Sequence, residues 1–265
     1  MANVSVIIPT YRRPGDVEAA VKSALIQSEV LEVLVCDDGS GDATEARIRS
    51  IDDARVSWIP GPHAGRPAVP RNRGLAAAKG EWIAFLDDDD SWMPGKLAGQ
   101  FERLALSGAR FSCTNAERID GTGASRGPYF SNASSVLGFE DLLRVNPVIC
   151  SSVLVHRAIL DKAGTFPEAE GLKALEDYAL WLRCAVFTPV DRLDQPLVVY
   201  RDVAANSIRA GGPSSAEQRA RVLLDLHGSP SYRMLGPAKR RAVEGELRIA
   251  QGRATLVDRL IHRFL

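Results

Sequence analysis

The chain has 265 residues, 45% hydrophobic and 25% charged, with a formal net charge of zero. That length allows one large domain, or a domain with an appendage, and a sizeable buried core. The balanced charge gives no case for a nucleic-acid partner, and no apolar run approaches the roughly 20 residues of a membrane-spanning helix. The start of the chain carries no signal-peptide pattern, so the expected location is the cytoplasm, with contact at the inner face of a membrane. Cys36, Cys113, Cys150 and Cys184 are far apart and form no CxxC pair. They read as reduced, buried thiols rather than disulfides or zinc ligands.

In chain order, Val4-Ser5-Val6-Ile7-Ile8 is a β-branched apolar run and a first strand. Pro9 stops it, and a loop follows from Thr10 to Gly15. Asp16 is placed to cap a helix carrying Val17, Ala20, Val21, Ala24 and Leu25 at helical spacing. Leu31 to Cys36 is a second strand, ending in Asp37-Asp38-Gly39-Ser40. Asp42 and Glu45 suit a capping box for a short second helix. Arg55 to Ile59 is a third strand. A Pro/Gly-rich loop runs from Pro60 to Pro70. Pro70 suits the first turn of a helix bearing Arg71, Asn72 and Arg73, and Gly80 suits its end. Residues 81–86 form the next strand, short and continuously apolar, as a strand buried in a parallel sheet would be. Strand and helix alternate throughout this half, which predicts a parallel sheet with right-handed crossovers.

That last strand ends in Asp87-Asp88-Asp89-Asp90. Four adjacent carboxylates repel one another, and a divalent cation relieves the repulsion. Their hard oxygens suit Mg2+ or Mn2+. The C-terminal edge of an open α/β sheet is also where ligands bind. A solvated acidic turn is the plain alternative. Neither GxGxxG after the first strand nor GxxxxGK[ST] occurs, so any phosphate here is held by metal and arginine rather than by a glycine cradle.

The second half is less regular. It reads as a helix over 93–107 with Leu97, Phe101 and Leu104 on one face, a strand over 110–114, and a mobile loop over 119–135. A short helix at 138–144 and a strand over 148–155 follow. Glu176 and Asp177 start a helix, where the dipole favours acids. Residues 197–200 form a last strand, and 202–215 another loop. His156 reads as a surface or core histidine rather than a ligand. From 238 onward, Val243, Leu247, Ala250, Ala254, Val257, Ile261 and Phe264 recur at steps of three and four, an amphipathic helix. From Arg233 to the end, eight Lys/Arg face three acids. Such a basic face fits peripheral membrane contact, packing on the domain, or a homodimer.

The ordered motifs Val6-Ile7-Ile8-Pro9-Thr10-Tyr11, Cys36-Asp37-Asp38-Gly39-Ser40, Arg71-Asn72-Arg73-Gly74, Phe85 to Trp92 and Leu175-Glu176-Asp177-Tyr178 resemble the family 2 inverting glycosyltransferases of the GT-A fold. The resemblance covers about residues 3–202. It implies a Rossmann-like, mostly parallel sheet flanked by helices, with a nucleotide-binding half over 1–92, an acceptor half over 93–202, and a flexible loop and helical extension over 203–265. It implies that Pro9, Thr10 and Tyr11 line a nucleoside pocket, and that Asp38 accepts a hydrogen bond from the base. Arg71 would reach base or diphosphate, with Arg66 sharing that task. Asp88 would lie near the ribose. Asp89 and Asp87 would hold Mn2+ or Mg2+. Asp177 would be the catalytic base, with Glu176 beside it on the acceptor side. Arg201 or Arg209 would reach the diphosphate from loop 202–215. The donor would be a nucleotide sugar, a UDP-sugar first, and the acceptor a saccharide or lipid-linked intermediate of a surface polysaccharide or lipopolysaccharide.

The chemistry agrees with these roles. A departing diphosphate needs cations, and inversion needs one carboxylate on the opposite face to take the acceptor's proton. A sugar-phosphate nucleotidyltransferase would carry a Gly-rich basic loop where Pro9-Thr10-Tyr11 stands. A phosphatase with an aspartyl nucleophile would carry its acids after the first strand. A binding protein without catalysis would have no need of both Asp89 and Asp177.

Overall fold

The computed structural model describes residues 3–130, 136–202 and 214–264, the side chains of 253–264 excepted. Its centre is one ten-stranded sheet among these residues. β1 (Val4–Thr10), β2 (Val30–Asp37), β3 (Val56–Ile59) and β4 (Trp82–Phe85) are the parallel half. β1, most of β2 and β4 are apolar because they are buried on both faces, while the edge strand β3 is half-exposed. α1 (Pro14–Leu25), α2 (Thr44–Arg49) and α3 (Ala68–Ala77) make the crossovers. All four parallel strands therefore end at the same edge of the sheet.

Beyond β4 the sheet is mixed. Its order is β3-β2-β1-β4-β9-β6-β10-β5, with β9 (Leu154–His156) antiparallel to both β4 and β6 (Phe111–Ile119). β10 (Val190–Arg201) runs parallel to β6 and antiparallel to β5 (Ser91–Trp92). β7 (Ser125–Pro128) extends β6 as a hairpin, and β8 (Val136–Leu137) pairs with β10.

Several expectations are corrected here. Residues 148–155 are not one strand: Cys150–Ser152 is a 3-10 turn, closed by Ser152 N–H to Ile149 O and by the Ser152 hydroxyl on that same carbonyl. The run is buried throughout, its two serines included, and the turn interrupts it at those polar residues. The 119–135 loop includes β7. The 197–200 strand is the end of the longer β10, whose start is masked by Asp191, Arg192 and Asp194 and which shifts register around Pro196. Asp42 makes no capping box; it accepts from the Thr44 N–H and hydroxyl, and α2 starts without a side-chain cap. α3 begins two residues before Pro70 and ends at Ala77. His156 caps α6 (Arg157–Ala163), accepting from the Ala158 N–H. The loop of residues 203–213, with Arg209, lies outside the described residues.

α7 (Glu176–Cys184) is buried on every side, with Trp181 packed against Phe85, Phe111 and Phe166. α8 (Ser215–Gly228) packs on it. α10 (Pro237–Phe264), which follows the short α9 (Pro230–Arg233), lies on α8 and on α5 (Phe139–Arg144). Val243 and Ala250 are buried, so the described part of the amphipathic face packs on the chain's own domain. Among the described residues no helix is long and apolar enough to cross a membrane. All four cysteines are free and buried.

Gly74 explains part of the Arg-Asn-Arg-Gly motif: a Cβ there would lie 2.6 Å from Ile7 Cγ2 and 2.8 Å from Cys36 Sγ, so α3 can press onto β1 and β2 only through glycine. Behind the site, α4 (Lys96–Ser107) buries Lys96 completely. Its ammonium meets Gln100 Oε1 at 2.8 Å and the Trp92 ring at 4.2 Å. Gln100 in turn donates to Ser152 O at 3.0 Å.

Burial pulls Lys96 from the usual 10.5 down to about 7. Between those values the unfolded chain binds a proton that the folded chain does not, so this group adds stability as pH rises. Urea denaturation of wild type and Lys96→Met should show wild type gaining on the variant between pH 7 and 8.5, at a slope approaching about 1.4 kcal/mol per pH unit. Parallel pH curves would refute the assignment.

Candidate active site

The C-terminal edge of β1, β2 and β4 opens into a cavity of about 990 Å³. Pro9, Thr10, Tyr11, Asp38, Arg71, Asp87, Asp88, Asp89, Glu176 and Asp177 all line it. Residues spread from 9 to 177 in sequence thus meet at one place.

The acidic run is held apart by four different sets of partners. Asp87 pairs with Arg71 Nη2 at 2.5 Å. Asp88 accepts from the Thr10 hydroxyl at 2.9 Å and from Arg13 Nη1 at 2.9 Å. Asp89 accepts from the same Arg13 nitrogen at 2.6 Å. Asp90 turns inward, to the Ser151 hydroxyl and the Arg201 N–H. Burial pushes Asp88 up to about 7, and burial together with Asp87 raises Asp89. Asp90, wholly enclosed, is raised further, chiefly by burial and then by Asp87 and Asp89. Asp88 and Asp89 thus share one guanidinium, that of Arg13.

Arg71 is the buried centre of the site. Its Nη1 donates to Glu176 at 2.8 Å while Nη2 holds Asp87, and its guanidinium lies 5.4 Å from the Phe166 ring centroid. Both arms of the fork are thus committed to carboxylates of this chain. Glu176 keeps its second oxygen, Oε2, buried without a hydrogen-bond partner. Asp177 follows in the first turn of α7 and accepts from the Tyr178 N–H at 2.7 Å. The turn before them is tight: Ala174 stands at φ 63°, left-handed without being glycine.

On the other flank, Asp38 accepts from the Ala64 and Gly65 N–H groups, both at 2.9 Å. His63 lies 3.1 Å from the same carboxylate and stacks on Tyr11, with centroids 4.2 Å apart. Gly39, at φ +80°, lets this loop close, since a Cβ there would meet His63 N at 2.7 Å. Arg66 lines the cavity but donates to Glu168 O. Arg201 also lines it, with its guanidinium 3.4 Å from Asp16.

Sequence reasoning missed Arg13, His63, and the far wall of Tyr129, Phe130, Arg144, Lys173, Arg219 and Ile249. Arg13 was readable as a cation directly after β1, facing the acids that end β4. The far wall comes from several elements, and no local pattern marks it.

Among the described residues no three His, Cys, Asp or Glu side chains form a preformed metal cage. The oxygens of Asp88 and Asp89 still fit a hard divalent cation. They flank one notch, they are incompletely neutralised, and a guanidinium nitrogen already stands between them. One or two carboxylates completed by a ligand's phosphates is the usual arrangement for Mg2+.

Residues 5–163 match the profile of the family described as Glycosyl transferase family 2. The chain belongs to glycosyl transferase family 2. It is therefore a glycosyltransferase of the inverting, GT-A type that its motifs resemble. It is 30% identical over 236 residues, 89% of this chain and 91% of the relative, to the Escherichia coli UDP-Glc:alpha-D-GlcNAc-diphosphoundecaprenol beta-1,3-glucosyltransferase WfaP. It is 31% identical over 184 residues, 68% of this chain and 70% of the relative, to the putative teichuronic acid biosynthesis glycosyltransferase TuaG of Bacillus subtilis. The crystal structure of S. aureus TarS 1–349 in complex with UDP-GlcNAc matches 94% of this chain and 72% of that one, with a TM-score of 0.71 at 20% identity, which is a likeness of fold.

Arg71→Met leaves buried Glu176 and half-buried Asp87 without their common partner. Guanidinium denaturation should show a loss of about 3–5 kcal/mol. Arg71→Lys keeps the charge but not the fork and should recover less than half of it. A fully stable Arg71→Met would contradict the placement.

Proposed function

We propose that this glycosyltransferase moves a hexose from a UDP-sugar, with Mn2+ or Mg2+, onto the sugar of a lipid-diphosphate-linked acceptor in surface polysaccharide assembly. The observation that carries this reading is the single cavity joining the Asp38 loop, the Asp88–Asp89 notch and the Glu176–Asp177 helix start. Its volume suits a nucleotide sugar. The name of the E. coli relative supplies the donor and the acceptor class, and that of the B. subtilis relative the setting of polysaccharide biosynthesis.

In this reading the base lies against Tyr11 and Pro9. Asp38 has lone pairs left after its two backbone bonds and offers one to a uracil N–H. Asp88, fixed by Thr10, faces the ribose. Asp89 and its neighbours hold the divalent cation, whose chemistry when bound is to neutralise the departing diphosphate. Asp177 takes the proton of the acceptor hydroxyl as the new bond forms at the anomeric carbon. Glu176, pinned by Arg71 through Oε1, has Oε2 free to hold an acceptor hydroxyl, which accounts for an otherwise unpaired buried oxygen. Arg71 serves by fixing Asp87 and Glu176 rather than by reaching the donor. A lipid-linked acceptor places the enzyme at a membrane face.

Calorimetry with UDP, GDP, dTDP and CDP, with and without Mn2+, tests the donor side. UDP should bind best, and the Mn2+ enhancement should vanish in Asp89→Asn. Failure of Mn2+ to strengthen binding of any of the four would refute the metal-assisted reading. On the acceptor side, Asp177→Asn should keep UDP affinity within about twofold and lose on the order of 10²–10⁴ of turnover. Retained turnover would remove Asp177 as the base.

A further inference from the structure

Arg13 has no task in the fold that its side chain explains. It is the N-cap residue of α1, yet its side chain makes no capping hydrogen bond. One nitrogen, Nη1, instead touches Asp88 Oδ1 at 2.9 Å and Asp89 Oδ2 at 2.6 Å. That nitrogen stands between the two carboxylates, in the notch suited to a divalent cation. Arg13 and Asp89 each keep about a third of the side chain exposed, 35% and 33%, whereas Asp88 keeps 10%. The backbone at this point is fixed. Arg12 is left-handed at φ 53°, its N–H is bound to the Ser40 hydroxyl at 2.9 Å, and Pro14 starts α1. The Arg13 side chain itself is about a third exposed and opens onto the cavity.

We infer that Arg13 is a resident cation of the donor site. It pairs with both Asp88 and Asp89, offsetting part of their charge, while no donor is bound. It yields the notch to the divalent ion when a nucleoside diphosphate arrives, and its guanidinium then turns to the diphosphate oxygens, for which a planar fork is suited. The site exchanges one cation for another and is never left with its carboxylates unpaired. Metal and nucleotide consequently enter together. Metal alone must displace a guanidinium from two charge-assisted hydrogen bonds, whereas metal with diphosphate gives that guanidinium a new anion. By linkage each ligand strengthens the other by the same factor. This rests on the reading of the site as one that takes a divalent cation with a nucleoside diphosphate.

The test is Mn2+ binding followed by the electron paramagnetic resonance signal of the free ion, with and without UDP, together with UDP calorimetry at saturating Mn2+. It uses wild type, Arg13→Ala, Arg13→Gln and Arg13→Lys. In wild type, Mn2+ alone should bind weakly and UDP should tighten it at least tenfold. Arg13→Ala and Arg13→Gln should bind Mn2+ alone at least tenfold tighter than wild type, gain less from UDP, and bind UDP more weakly once metal is present. Arg13→Lys, which keeps the charge, should stay near wild type for Mn2+ alone. If the two neutral variants bind Mn2+ alone no tighter than wild type while UDP still strengthens Mn2+ in every protein, the role of Arg13 is overturned and the metal-assisted reading stands. If no protein binds Mn2+ with or without UDP, both are overturned.

Discussion

The interaction on which the site depends is the buried fork of Arg71, between Asp87 at the end of β4 and Glu176 at the start of α7. β4 belongs to the parallel half of the sheet, and α7 packs under the mixed half. A guanidinium with so little exposure is costly to bury, and its carboxylates offset that cost. The pair therefore fixes a distance as much as it contributes stability. It sets how far Asp88 and Asp89 lie from Asp177, and in a displacement reaction that separation decides whether acceptor and leaving group can occupy opposite faces of one sugar.

Around that fork the site is an arrangement of carboxylates kept apart by unlike partners. Asp90 is absorbed into the interior by Ser151 and the Arg201 backbone, and Asp87 by Arg71. Asp88 and Asp89 share the partly exposed guanidinium of Arg13. The four-acid run is thus two residues engaged by the fold flanking two that line the cavity beside Arg13. The glycines serve the same end, Gly39 by closing the Asp38 loop against His63 and Gly74 by bringing Arg71's helix down onto β1 and β2.

Much of this was legible in the sequence, because parallel strands between crossover helices leave period and punctuation that can be read locally. These strands end at the same sheet edge, so residues just beyond β1, β2 and β4 meet at the cavity. The mixed half was less legible for equally physical reasons. The 3-10 turn at Cys150–Ser152 lies between apolar residues that continue into β9, and its two serines are its one local mark. The first half of β10 carries charges that pair sideways, Asp191 with Arg103, and so gave no strand signal before residue 197. α8 did announce itself: Ser214 and Glu217 form a reciprocal capping box at its start. The partner of an ion pair has no local signature, which is why Arg71 was expected on the donor while its fork is committed to Asp87 and Glu176.

The central claim is that Asp87 and Glu176 act as one unit through Arg71, and a double-mutant cycle on stability tests it most directly. Asp87→Asn and Glu176→Gln are each made alone and together, without donor or metal, and unfolded in urea. Either single variant leaves Arg71 one carboxylate, and the double leaves it none. The account predicts that the double variant loses more than the sum of the singles, by about 1 kcal/mol or more, which is the size expected of residues in one network. Losses that add within about 0.5 kcal/mol, as they do for independent sites, would contradict it.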